Sequence, residues 1–189
     1  MIKKSINIRN MVCPRCITAV EQTLSRLKIP YIEVKLGEAV VETEYIDYNT
    51  LDTELRTIGF EIIQNKTQKI VEQIKTLIID LIHHNNGDNL EINFSEYLNK
   101  KLGYDYSYIS NIFSKEENTT IEKFIIIQKV EKVKELIEYN ELNFSEIAFI
   151  LNYSSASHLA KQFKRITGFT LSEYKKTKTE ERNSIDNLL

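Results

Sequence analysis

The 189-residue sequence has few of the features that would place a protein in a membrane or in an oxidising compartment. No apolar run approaches the roughly 18 residues that a membrane-spanning helix needs, so we expect no membrane partner. The N-terminal stretch MIKKSINIRN is too polar for the apolar core of a signal peptide. We therefore expect a cytoplasmic protein with reduced thiols, which favours a metal or redox role for its two cysteines over a structural disulfide.

The sequence also lacks the residue constellations that catalysis requires. It has no Gly-rich phosphate loop, no carboxylate pair that can be placed in a pocket and no nucleophile with a base in reach, so we do not expect an enzyme. The net charge of −2 does not indicate a nucleic-acid partner either. Between residues 158 and 178, however, six Lys and Arg side chains accompany a single acid, Glu173. Local patches of this kind, rather than totals, steer proteins towards phosphate.

Changes in hydrophobic period divide residues 1–66 into short strands and helices. Alternation in KSINIRN and YIEVKL predicts two strands, with Ile32, Val34 and Leu36 on one face of the second, and the turn at Gly37 leads to a hairpin partner. Apolar residues at helical spacing predict helices at 14–27 and 47–57. The short strand FEII completes the order β-α-β-β-α-β, which is typical of a ferredoxin-like domain.

Residues 67–180 contain helical patterns only, and two stretches within them share one plan. FSEYLNKKLGYDYSYISNIFSKE is followed 50 residues later by FSEIAFILNYSSASHLAKQFKRITG. In each stretch we expect the serine, Ser95 or Ser145, to cap a first helix, a Gly or Asn to form a left-handed turn, and a second helix to follow. A stiff helix from Thr120 to about Glu138 joins the two helix-turn-helix motifs.

The second of these stretches leads into the sequence G-F-T-x-x-x-Y-K-K, at the end of KVEKVKELIEYNELNFSEIAFILNYSSASHLAKQFKRITGFTLSEYKK. With this ending, residues 70–178 resemble the DNA-binding domain of the AraC/XylS family of bacterial transcription regulators. The resemblance implies an all-α double helix-turn-helix domain that controls transcription by binding specific double-stranded DNA. Two recognition helices joined by a stiff helix can enter successive major grooves, so one chain can bind two half-sites.

The resemblance also implies which side chains contact DNA. In the second motif they are Ser157 and Lys161 at bases, and Lys164 and Arg165 at phosphates. In the first motif the corresponding residues are Tyr106, Ser107, Ser110 and Asn111. The first recognition helix has no Lys or Arg before Lys115, and Arg is the side chain that most often contacts guanine. We therefore expect weaker or adenine-directed recognition at its half-site, with Asn111 as the best candidate.

Both cysteines lie in MVCPRC, in the loop between the first strand and the first helix. Met11, Cys13 and Cys16 match the motif G-M-x-C-x-x-C, and Asn10 stands in place of its Gly. Residues 3–65 thus resemble the heavy-metal-associated domain of copper chaperones and metal-transporting ATPases. The resemblance implies a metal site at Cys13 and Cys16.

Thiolates are soft ligands that select ions such as Cu(I) and Zn(II). Two sulfurs suffice for linear Cu(I), whereas tetrahedral Zn(II) needs two more ligands, which a second chain would supply in a homodimer formed through the N-terminal domain. The helix N-terminus and Arg15 are both expected to favour the thiolate form.

Several functions remain open for the α+β chain that these patterns predict. It is either a metal-responsive transcription regulator or one with a dithiol redox switch, since C-x-x-C at a helix start closes readily to a disulfide. A different class of function is a metal-trafficking protein whose helical half binds a partner. A last alternative is that the two cysteines have no chemical role and only pack against their neighbours. We expect domains at residues 1–66 and 67–180, followed by a tail at 181–189.

Overall fold

The computed structural model of the protein describes residues 2–63, 65–84 and 93–177. It divides into an N-terminal unit, Met1–Leu77, and a C-terminal unit, Ile78–Leu189. The division falls within helix α3 (Lys66–His83), whereas the predicted boundary coincides with the start of that helix. The predicted tail at 181–189 lies outside the described residues. Among the described helices, none combines the length and the hydropathy needed to cross a bilayer.

The N-terminal unit contains a small antiparallel sheet with two helices in the predicted β-α-β-β-α-β order. The strands follow the spatial order β2-β3-β1-β4. In the register, Ser5 pairs with Val40 and Ile8 pairs with Ile62. The bounds of the elements are β1 Lys3–Arg9, α1 Pro14–Arg26, β2 Tyr31–Lys35, β3 Glu38–Glu42, α2 Tyr48–Arg56 and β4 Glu61–Ile63.

The core of this unit is built from the alternate residues of the strands and one stripe of each helix. Leu51 and Leu55 of α2 are fully buried, and each contributes about 2 kcal/mol through the apolar surface it removes from water. Pro14 occupies the first turn of α1, where no amide donor is needed. The buried cluster also contains Ile6, Ile8, Met11, Val20, Leu24, Val34, Ala39 and Val41.

Strand β2 departs from the predicted alternation. Ile32 is 48% exposed, whereas Val34 is buried. The register against β3 shifts between Tyr31 and Glu33, so Ile32 is the extra residue of a bulge. Because a bulge reverses the side-chain alternation on one side of it, the face predicted to be shared by Ile32 and Val34 is wrong for Ile32. The shift occurs on an edge strand, where bulges are common.

The described residues of the C-terminal unit are helical and contain the two predicted helix-turn-helix motifs. Helices α4 and α5 form the first motif, α7 and α8 form the second, and α6 joins them. Phe113 and Phe163, at corresponding positions of α5 and α8, are fully buried. The bounds are α4 Phe94–Leu102, α5 Tyr106–Glu117, α6 Ile121–Tyr139, α7 Phe144–Ile150, α8 Ala156–Thr167 and α9 Leu171–Thr177.

The first helix of each motif is capped by an Asn and not by the predicted Ser. Oδ1 of Asn93 accepts a hydrogen bond from the Ser95 amide at 3.1 Å. Oδ1 of Asn143 accepts from the amides of Ser145 and Glu146 at 2.9 and 3.0 Å. The Glu146 carboxylate accepts from the Asn143 amide in return, which completes a capping box. Ser95 and Ser145 lie inside the first turn, so the predicted serine caps are wrong.

The turns of both motifs have the left-handed backbone that the sequence predicts. Gly103 has a φ of 70° and Asn152 a φ of 50°. Gly has no Cβ to clash in this conformation, and Asn tolerates it better than most other residues. These turns reverse the chain so that α5 and α8 follow closely on α4 and α7.

Candidate nucleic-acid interface and thiol pair

Helix α8 has one buried face and one exposed basic face. Leu159 and Phe163 are fully buried. At about 100° per residue, the four residues predicted to contact DNA fall within an arc of about 100° around the helix axis. All four are exposed: Ser157, Lys161, Lys164 and Arg165. The structure therefore brings the predicted contact residues of the second motif together on one surface.

His158 lies beside this basic face and was not among the predicted contacts. Its Nδ1 is 3.0 Å from the Ser154 hydroxyl, and its ring meets the Tyr153 ring edge-on at 5.5 Å. The N-cap residue Ser155 accepts the His158 amide proton at 3.1 Å. These contacts hold the first turn of α8. The signal for His158 in the sequence is its place next to Ser157.

Helix α5 presents a face without basic side chains over its first two turns. Its N-cap, Asp105, accepts hydrogen bonds from the amide and the hydroxyl of Ser107, which lower the pKa of the Asp105 carboxyl. Ser110 is half-buried and donates to the Ser107 carbonyl oxygen at 3.4 Å. Among the predicted contacts on α5, Asn111 is exposed and its side chain makes no hydrogen bond within the described residues.

Tyr106 makes a contact with α6 that the other predicted contacts on α5 do not make. Its hydroxyl donates to Oε1 of Glu122, on α6, at 2.5 Å, and its ring is half-buried. Burial and the adjacent carboxylate raise the pKa of Tyr106 above its ordinary value. Tyr108, which was not among the predicted contacts, is 48% exposed and packs in a tilted arrangement against Tyr104, with the ring centroids 5.5 Å apart. It occupies the position in α5 that His158 occupies in α8.

The two cysteines are free and close together at the start of α1. Their Sγ atoms are 3.4 Å apart, both side chains are half-buried, and the Cys16 amide donates to the Cys13 carbonyl at 2.9 Å. Burial raises the pKa of the Cys16 thiol above its ordinary value. Desolvation thus opposes the thiolate form at Cys16, although backbone hydrogen bonds at Val12 and Cys13 lower the pKa of this thiol.

The loop before the cysteines explains how this chain departs from the G-M-x-C-x-x-C motif. Asn10 has a φ of 70°, in the left-handed region that a Gly adopts freely. Its side-chain Nδ2 donates to the Gly59 carbonyl oxygen at 3.0 Å, which compensates for the strained backbone. Met11 is buried in the core of the N-terminal unit. The residues of the loop are therefore compatible with the backbone that the motif requires.

The donor atoms fit some metal ions better than others. Across the parts of the chain that the structure describes, no group of three or more His, Cys, Asp or Glu side chains converges. The pair Cys13 and Cys16 therefore supplies two soft ligands and no third side-chain donor of these types. Two thiolates match the coordination of Cu(I), whereas a structural Zn(II) site has four protein ligands.

Comparisons with known proteins concern the helical region. Residues 98–177 match the family described as "Helix-turn-helix domain". The "Msm operon regulatory protein" of Streptococcus mutans is 29% identical over 112 residues, which are 59% of this chain and 38% of that protein. The "Uncharacterized HTH-type transcriptional regulator YdiP" of Escherichia coli is 30% identical over 100 residues, 53% of this chain and 33% of that protein. The chain thus spans between a third and two-fifths of the length of these relatives.

One solved structure supports the fold of the same region. The C-terminal domain of AraT, a response regulator from Geobacillus stearothermophilus, aligns with a TM-score of 0.51 and 20% identity over 64% of this chain and 94% of that domain. At this identity the likeness establishes the fold alone. The family match confirms a helix-turn-helix region at residues 98–177, and the two relatives are named as regulators.

Proposed function

We propose that the chain is a cytoplasmic, sequence-specific transcription regulator of the AraC type, which binds double-stranded DNA through α5 and α8. The observation that carries this proposal is the exposed face of α8, where Ser157, Lys161, Lys164 and Arg165 share one surface. A helix of this width fits the major groove, and its cations match the phosphates on either side. The regulatory names of the relatives support the same function.

The two recognition helices contribute unequally in this proposal. On α8, Lys161 contacts a base, with Lys164 and Arg165 at phosphates. On α5, Asn111 contacts adenine through its amide, since Asn matches the N6 and N7 atoms of that base. Tyr106 is omitted from the contact set because its hydroxyl is bonded to Glu122. The half-site under α8 therefore carries most of the salt-dependent affinity.

Selection of duplexes from a random-sequence library by the full chain tests the proposal. We expect enrichment of a bipartite site whose halves lie about 10 base pairs apart, one turn of DNA. A triple variant with Lys161, Lys164 and Arg165 changed to Ala is expected to enrich nothing. A matched triple variant, with Lys3, Lys4 and Lys35 of the N-terminal unit changed to Ala, is expected to enrich the same site as the wild type. Failure of the wild-type chain to enrich any sequence would overturn the proposal.

We also propose that the N-terminal domain, residues 1–66, is a ferredoxin-like sensor of the heavy-metal-associated type. It is attached to the DNA-binding domain at residues 67–180. The observation that favours this proposal is the 3.4 Å separation of the Cys13 and Cys16 sulfurs at the start of α1. The sheet order β2-β3-β1-β4 and the left-handed Asn10 support the same domain type. Bound Cu(I) would be held by the two thiolates, and its binding would release their protons. Zn(II) would require a homodimer that supplies four sulfurs.

Titration of the reduced chain with Cu(I) or Zn(II), followed by native mass spectrometry, separates the alternatives. One copper per chain supports the two-sulfur site, and one zinc per two chains supports the homodimer. A loss of two hydrogen masses under mild oxidant, with no metal bound, would favour the redox switch. Equal metal binding by the Cys13→Ser/Cys16→Ser variant would remove the metal site. Metal binding without any change in DNA affinity would favour the metal-trafficking function.

A further inference from the structure

Lys129, near the middle of α6, contacts both helix-turn-helix motifs at once. Its Nζ donates a hydrogen bond to the carbonyl oxygen of Leu151 at 2.6 Å. The same ammonium lies 5.6 Å from the centroid of the Phe94 ring and 5.3 Å from that of the Tyr153 ring. Phe94 is the first residue of α4, whereas Leu151 is the C-cap of α7 and Tyr153 precedes α8. One charged group therefore bridges the start of the first motif and the turn of the second.

The contacts that form this bridge also stabilise the positive charge of Lys129. No carboxylate in the described parts of the chain forms an ion pair with it, and burial lowers the pKa of Lys129 to about 8. A buried ammonium is costly unless its protons and charge find partners. The Leu151 carbonyl and the faces of two aromatic rings provide them here, and hydrogen bonds from a charged donor are stronger than neutral ones.

A second lysine of the C-terminal unit provides a comparison. Lys175 of α9 lies 6.0 Å from the centroid of the Phe144 ring, the residue that corresponds to Phe94 in the second motif. Lys175 is exposed, and its ring partner belongs to the motif that α9 directly follows. Lys129 makes the same kind of contact with Phe94 of the first motif, which precedes α6. Unlike Lys175, it also contacts the second motif, at Tyr153.

The contact with the second motif leads directly to the proposed DNA-binding face. The Tyr153 ring, which lies against Lys129, is buried, and on another side it meets the His158 ring of α8 at 5.5 Å. A change at Lys129 can therefore reach the first turn of α8 through one intervening ring. On the other side, Phe94 begins the helix that leads through Gly103 to α5.

We infer that Lys129 is a positioning residue that fixes the orientation of the two helix-turn-helix motifs relative to each other, so that α5 and α8 meet DNA in one register. The inference about orientation stands on the contacts of Lys129. Its consequence for DNA rests on the proposed function. The two parts are tested separately, so that failure of one can be distinguished from failure of the other.

The orientation is measured without DNA by pulsed electron paramagnetic resonance. Spin labels are placed at Asn111→Cys and Lys161→Cys, corresponding positions of α5 and α8, in the Cys13→Ser/Cys16→Ser background. Lys129→Met is expected to broaden the distance distribution while the helical circular dichroism stays unchanged. Lys129→Arg, which keeps the charge, and Lys175→Met, the matched control, are expected to keep the narrow distribution. An equally narrow distribution in Lys129→Met would overturn the inference.

If Lys129→Met fails to fold, Tyr153→Leu tests the same bridge by removing only the ring on the side of the second motif. It is expected to broaden the distribution as well, and a narrow distribution in this variant would also overturn the inference.

The consequence for DNA is measured with the duplex that the wild type selects from a random library, and with the same duplex carrying one extra base pair between its halves. We expect the wild type to bind the longer duplex roughly tenfold more weakly, and Lys129→Met to distinguish the two by less than about threefold. Undiminished discrimination by Lys129→Met would overturn the inference. If the wild type selects no duplex, the proposed function fails, and the distance measurement still decides the role of Lys129.

Discussion

The imidazole of His83 donates a hydrogen bond from Nε2 to Oε1 of Gln128, 2.9 Å away, inside the C-terminal unit. Its Nδ1 makes no hydrogen bond within the described residues and lies 4.0 Å from Oε2 of Glu135. Burial lowers the pKa of His83 to about 4, and the nearby Lys132 ammonium acts in the same direction. The ring is therefore neutral at pH 7, and its approach to Glu135 is not an ion pair under those conditions.

The buried His83 predicts a loss of stability in mild acid. Between about pH 4 and the ordinary histidine value of 6.5, the folded chain binds fewer protons at this site than the unfolded chain. The free energy of unfolding therefore falls as the pH falls through this window, by about 3 kcal/mol in total. Urea denaturation at a series of pH values measures the slope. The His83→Gln variant, which can still donate to Gln128, is expected to lose that part of the slope.

The difference between wild type and variant isolates His83. Carboxyl groups whose pKa values are lowered in the fold, such as Asp52 and Glu122, lose their contribution at still lower pH, and they do so in both proteins. Identical slopes for wild type and His83→Gln between pH 4 and 6.5 would contradict the neutral, buried ring.

The left-handed Asn10 predicts an unusual order among substitutions in the N-terminal unit. Asn10→Ala is expected to destabilise it by about 1 to 2 kcal/mol, because Ala strains at a φ of 70° and loses the bond to Gly59. Asn10→Gly relieves the strain and is expected to stay within about 1 kcal/mol of wild type. Hydrogen exchange of the β1 and β4 amides measures the local effect. Asn7→Ala, at a β1 position without positive φ, is the control, and equal effects of Ala and Gly at position 10 would contradict the argument.

Local patterns were enough to predict the order of elements and the two helix-turn-helix motifs. The helix from Pro14 follows from apolar spacing and a proline in the first turn, which are properties of neighbouring residues. The turns at Gly103 and Asn152 follow from the few residue types that accept a left-handed backbone. The exposed face of α8 follows from the same periodicity, since the buried Leu159 and Phe163 leave the basic residues outside.

The remaining features depend on partners that are distant in sequence. Ile32 turns outward because of a bulge in its pairing with β3, which alternation alone does not reveal. His83 is neutral because the fold buries it, although the hydrogen bond to Gln128, 45 residues away, raises its pKa. The thiol of Cys16 is desolvated by the fold, whereas sequence alone showed only the helix start and Arg15. Lys129 could not be singled out among the lysines of its helix without the positions of Phe94 and Tyr153.

The capping of α7 predicts that Asn143 matters more than the serine beside it. Asn143→Ala removes the acceptor for two amides and half of the capping box, and we expect it to destabilise the C-terminal unit by about 1 to 2 kcal/mol. Ser145→Ala, inside the first turn, is expected to change the stability by less than about 0.5 kcal/mol. Urea denaturation monitored by circular dichroism compares the two. If Ser145→Ala destabilised the unit more than Asn143→Ala, Ser145 and not Asn143 would be the capping residue.

The exposed face of α8 predicts different consequences for two lysines one turn apart. Lys161 is proposed at a base, so Lys161→Ala is expected to lose about 1 to 3 kcal/mol of binding on the selected duplex and to relax the preference at one base pair. Lys164 is proposed at a phosphate, so Lys164→Ala is expected to weaken binding to all sequences alike. It should also reduce the slope of log affinity against log salt by about 1.

Equilibrium binding to the selected duplex and to single-base variants of it, at several salt concentrations, separates the two roles. Lys35→Ala is the control, because Lys35 is an exposed lysine of the N-terminal unit whose ammonium already pairs with Glu33 at 2.8 Å. If Lys161→Ala weakened binding to all duplexes by the same factor, Lys161 would contact the DNA backbone and not a base. Unchanged affinity and salt slope in both Lys161→Ala and Lys164→Ala would mean that this face of α8 does not contact DNA.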